Sequence, residues 1–97
     1  MVILTLEDIK RHVRLDGDVE DDELLDYGES AEEQLWQDLG KTYDEVLAEY
    51  GSVPVSLRHA ALMLVAHYYK HRGMGENVPY YDMPYTYDVK IKPYMAL

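Results

Sequence analysis

A small all-α bundle with an irregular, Tyr- and Pro-rich C-terminal tail is the fold class this sequence predicts. Three observations lead there. Apolar residues recur at helical spacing in four separate stretches, and residues that start and stop helices bracket those stretches. The only weakly alternating run, Thr86 to Ile91, is short and lies among prolines, so it reads as a short strand or a single helical turn.

The first helix begins at Thr5, a good N-cap, with Glu7 and Asp8 in its first turn where the helix dipole favours negative charge. Leu6, Ile9 and Val13 form one face, and Lys10, Arg11, His12 and Arg14 place positive groups toward its end near Leu15. Asp16-Gly17-Asp18 reads as a turn. The acids from Asp18 to Asp22 open the second helix. Leu24, Gly28, Ala31, Leu35 and Leu39 make its stripe, widened by Leu25 and Trp36. Gly28 within that stripe costs about 1 kcal/mol against Ala and permits another backbone to come close, which marks a helix crossing. Gly40 ends the helix. Thr42 and Glu45 form a capping box for a third helix that stops at Gly51, with Tyr43, Val46, Leu47 and Tyr50 as its apolar face. Pro54 and Gly73 bracket the fourth helix, which is apolar around most of its circumference from Leu57 to Arg72. So apolar a helix needs partners on several sides, and the expectation is that one short chain supplies only some of them.

Ninety-seven residues make one domain with one modest core. The helices occupy residues 1–78. The tail, 79–97, is expected to pack on this helical domain or on a partner. Nineteen acidic against nine basic residues give a formal charge of −10. A surface of that sign repels phosphate, which excludes duplex binding through a basic face. The absence of Cys excludes a disulfide, a thiolate nucleophile and a Cys-based zinc site. The longest apolar run, Ala60 to Ala66, is far short of a membrane span, and the first residues lack the basic stretch of a signal peptide. The expectation is a soluble, intracellular protein.

No group of residues makes a credible active site, and no cofactor or metal is expected. An EF-hand loop beginning at Asp16 requires Gly at its sixth position and Glu at its twelfth; Asp21 and Tyr27 stand there. His67 and His71 share a helical face, with His59 on the same helix, but the Glu that a zinc protease places beside its first His is replaced by Tyr68. Ser30, Ser52 and Ser56 lack a nucleophile elbow. Glu32 and Glu33 read as solvated charges on the polar side of the second helix. Five of the ten tyrosines (Tyr80, Tyr81, Tyr85, Tyr87 and Tyr94) fall in the tail. Aromatic side chains dominate both cores and interfaces, so these rings either cap the core or anchor a partner. Together with Gly28 and Trp36 they are the candidate protein-interface residues.

The order of features resembles a known family. Leu6 to Asp16 (LEDIKRHVRLD) is followed by the acidic Glu20 to Leu25, a helix ending at Gly40, and Val53-Pro54-x-x-Leu57-x-x-Ala60-x-Leu62-x-Leu64-Val65-Ala66-His67-Tyr68-Tyr69-x-x-Arg72. Val78-Pro79 and Lys92-Pro93-Tyr94 close the chain. This layout resembles the head–tail connector (adaptor) proteins of long-tailed bacteriophages, also described as possible DNA-packaging proteins. The resemblance covers nearly the whole chain and departs from the family in the long, helical Lys41 to Gly51 stretch and the Tyr-rich tail. It implies a non-enzymatic helical adaptor forming a homo-oligomeric ring of about a dozen copies. That ring sits in the virion, between the portal and a stopper or head-completion protein. DNA passes through it without sequence-specific binding, and assembly takes place in the host cytoplasm.

Two other classes are carried beside it. An acidic helical interaction module, such as a phage inhibitor or DNA mimic, is motivated by the acids from Asp16 to Glu33; a metal-dependent enzyme is motivated by the three histidines. For the adaptor, the tail from Tyr80 to Leu97 is expected to reach a neighbouring subunit or the portal. Truncation after Asn77 is then expected to leave a folded protein that no longer joins the ring.

Overall fold

The computed structural model describes residues 2–14, 17, 21–70 and 85–96. Among them lie five α-helices: α1 (Leu6–Val13), α2 (Asp21–Leu39), α3 (Tyr43–Tyr50), α4 (Val55–Lys70) and α5 (Tyr85–Ile91). A 3-10 turn, Lys92–Tyr94, follows α5. The chain is an all-α bundle.

Local signals set the ends of these helices. Thr5 caps α1 and Thr42 caps α3, each in a reciprocal capping box closed by Asp8 and Glu45 respectively. Gly40 and Gly51 take the left-handed conformation that ends α2 and α3, at φ 70° and 78°. Arg14 does the same for α1 without being glycine, at φ 61°, so α1 stops there and not at Leu15. Pro84 and Pro93 leave a proline-free window between them, and α5 fills it. The tail therefore carries two helical turns where the sequence left a strand or one turn open.

α4 is the central element. It packs most extensively on α2, then on α5 and α1. Leu57, Ala60, Ala61, Leu62, Leu64 and Val65 are all buried, so the chain itself covers most of the apolar circumference expected to seek outside partners. Besides α2, the covering pieces are α5, an element the sequence left undefined, and α1. Opposite α4, the predicted α2 stripe of Leu24, Gly28, Ala31, Leu35 and Leu39 is buried throughout. Each large aliphatic side chain fully removed from water contributes about 1.5–3 kcal/mol. The fully buried set includes Ile9, Leu24, Leu35, Leu39, Val46, Leu57 and Val65.

The tail's described part belongs to this core. Tyr87 and Ile91 are each 3% exposed, and the Ala96 N–H donates to the Leu39 carbonyl at 2.8 Å. That bond ties the chain's end to the end of α2. A Cβ built on Gly40 would lie 3.3 Å from the Ala96 Cβ, so glycine serves both the turn and the close approach of the tail. This packing argues against the expectation that truncation after Asn77 leaves the fold intact, since the cut removes the buried side chains of Tyr87 and Ile91.

Candidate interaction surface

Two arrangements fasten the chain's ends to α2. At the N-terminal end the Glu32 carboxylate is 4% exposed. It accepts the backbone N–H groups of Val2 at 2.7 Å, Ile3 at 3.2 Å to both oxygens, and Leu4 at 2.9 Å. Three charge-assisted bonds offset the desolvation of the carboxylate and hold Leu4 in the core. The expectation of a solvated Glu32 is therefore corrected, while its neighbour Glu33 is exposed. Spacing offered a signal, since Glu32 stands four residues after Gly28 and three before Leu35, on the apolar stripe. What the spacing left open is where the partner donors come from, a segment 28 to 30 residues away in the chain.

At the C-terminal end the Tyr87 hydroxyl donates to Asp38 Oδ2 at 2.6 Å, and Gln34 Nε2 donates to Asp38 Oδ1 at 2.8 Å. Burial, reinforced by the hydrogen bond to the Asp38 carboxylate, pushes the Tyr87 phenol far above its ordinary range. An open groove beside this pair is lined by Asp38, Asp88, Ile91, Lys92 and Met95.

An aromatic edge runs along α3. Tyr43 and Tyr50 are seven residues apart and flank the buried Val46. The Trp36 ring meets Tyr43 edge-on at 5.9 Å, and Tyr94 meets Tyr50 edge-on at 5.4 Å. Lys41 Nζ lies 2.8 Å from Glu49 Oε2 and 5.5 Å from the centre of the Tyr50 ring. The hydrogen bond to Glu49 raises the Lys41 pKa. Tyr50 remains exposed, and Trp36, Tyr43 and Tyr94 are half-buried.

The sequence-predicted interface residues thus separate. Gly28 is buried inside α2, and Tyr87 is spent within the chain on α4 and Asp38. Trp36 and Tyr94 lie on the aromatic edge, each against a tyrosine of α3. Tyr85 opens α5. Tyr80 and Tyr81 lie outside the described residues, as do Asp16, Asp18, Glu20 and His71 among the acidic and histidine candidates. Tyr43 and Tyr50 complete the aromatic edge, and the sequence marks them only as part of a local helix face.

Among the described residues no three His, Cys, Asp or Glu side chains gather closely enough to hold a metal ion. His59 is exposed near the N-terminal end of α4. His12 has its pKa lowered, first by partial burial and then by the charge of His59. No helix among the described residues is long and apolar enough to cross a membrane.

Comparison with curated proteins and with solved structures gives no match. The sequence model of the phage gp6-like head-tail connector proteins matches residues 3–94. That span takes in Leu4, Tyr87 and Ile91 as well as the helices between them, and leaves Val2 and Ala96 outside. By a match of this extent, to a family of structural virion proteins at the junction of head and tail, the chain belongs to the phage gp6-like head-tail connectors.

Proposed function

We propose that this connector works as the adaptor layer beneath the portal. Copies of it close into a ring of about a dozen, a stopper or head-completion protein binds the far side, and DNA passes through the middle without sequence-specific contact. The family match over residues 3–94 carries this reading. The charge supports it: at −10 per copy the ring wall repels phosphate. The aromatic edge of Trp36, Tyr43, Tyr50 and Tyr94 contacts the neighbouring head or tail protein, because Tyr and Trp are the side chains that concentrate binding energy at interfaces. Assembly takes place in the host cytoplasm.

The test is electron microscopy of the cognate portal with and without the purified protein. An added ring layer in register with the portal is expected, and Trp36→Ala with Tyr50→Ala should weaken it. Portals left bare at saturating protein would refute the reading. A tight one-to-one complex with a basic protein, coupled with bare portals, would favour the acidic interaction module instead.

A further inference from the structure

Acidic residues crowd α2. α2 has no Lys or Arg along its length. Asp22, Asp26, Glu29 and Glu33 are all exposed, and their i, i+4, i+7, i+11 spacing places them on one face over about 16 Å. That face is opposite the Leu24–Leu39 stripe that packs on α4. Like charges three and four residues apart on a helix repel one another, and among the described residues no cation is paired with these four.

The positive groups lie elsewhere. Arg11, His12 and Arg14 are exposed at the end of α1, and Arg58 and His59 are exposed near the start of α4. α1 packs on α4 here, and His12 feels the charge of His59. Arg11 is 76% exposed, 3.8 Å from Asp8, a surface pair that holds it weakly. Val55, 65% exposed, shares the outer arc of α4 with Arg58 and His59.

We propose that copies of this chain join head to tail, the outward face of α2 on one copy docking on the α1–α4 edge of the next. The two surfaces are complementary in charge and made of different residues, and within one molecule Lys10 of α1 already pairs with Asp21 at the start of α2 at 3.1 Å. A contact between them is heterologous and generates a ring wherever the rotation closes. Carboxylates of α2 meet Arg11, Arg14 and Arg58, and Val55 supplies an apolar point within the contact. The arrangement relieves the uncompensated repulsion along α2. It also uses opposite charge to fix the orientation of neighbours, as complementary interfaces do. This inference rests on the ring reading above.

Charge reversal tests it on portal-templated rings of the full chain. Glu29→Lys with Glu33→Lys, and separately Arg11→Glu with Arg58→Glu, should each lower ring formation by about tenfold or more. All four substitutions together restore complementarity at every interface and leave the net charge at −10, so they should restore rings. Far-UV circular dichroism confirms that each variant is folded, since all four positions are exposed. Single-sided reversals that assemble normally, or a folded four-fold variant that stays unassembled, would overturn the docking scheme while native rings still stand. Native protein that forms no ring on the portal would remove the scheme and the ring reading together.

Discussion

The two ends of this chain are both fastened to α2, by opposite means. Residues 2–4 are held mainly through their backbone, by three N–H groups on a single buried carboxylate. Residues 85–96 are held mainly through side chains: Tyr87 and Ile91 in the core, a phenol on Asp38, and one backbone bond from Ala96. The first fastening is concentrated in one residue and asks little of the sequence it grips. The second is spread over several residues and depends on their shapes. A concentrated polar clamp fails when one group is removed, whereas distributed apolar burial fails only when the segment is lost.

Loss of the C-terminal segment is the harshest way to break this contrast. Truncation after Asn77 removes Tyr87 and Ile91, each contributing about 1.5–3 kcal/mol through burial, and uncovers α4. The truncated chain is expected to lose its cooperative urea transition or to aggregate. A truncated protein that melts like the full chain would show that α5 is dispensable to the core.

Glu32→Ala sharpens the other half. It leaves three amides without their acceptor, of which that of Leu4 is buried, at about 1–3 kcal/mol for a buried group left unsatisfied. The expected result is a lower urea midpoint together with fast hydrogen exchange confined to the amides of Val2, Ile3 and Leu4. Protected amides in that variant would mean that Leu4 burial alone holds the end.

The smallest effect is expected from Tyr87→Phe, about 1 kcal/mol, because Gln34 still satisfies Asp38 and the ring remains buried. Its signature is in pH. The folded state holds the Tyr87 proton more tightly than the unfolded chain, whose phenol titrates near 10. Native stability from this group is therefore complete below pH 10 and is lost as pH rises above it. The Phe variant should show a shallower alkaline decline, and parallel declines would place the linkage elsewhere.

Much of the framework was legible along the chain. Thr5 announced its cap and Thr42 its capping box, Gly40 and Gly51 their stops, and Leu24 to Leu39 its buried stripe, because each signal is a property of residues within a turn or two of one another. The family layout was legible for a similar reason, since it is carried by ordered local motifs from Leu6 to Tyr94. The aromatic edge was half legible: Trp36 and Tyr94 stood out as candidates, but their partners on α3 are fixed only by folding.

What the sequence determined by itself is the helical class, most helix ends and the sign of the surface, since periodicity, caps and net charge need no long-range contact. Tertiary structure alone decided that α5 covers α4, that Tyr87 is core, and that Glu32 is a buried clamp instead of a solvated acid. Each of those outcomes depends on groups tens of residues apart meeting in space. Burial turns a tyrosine or a glutamate from a surface group into a structural one only where a distant segment supplies the wall or the hydrogen-bond donors.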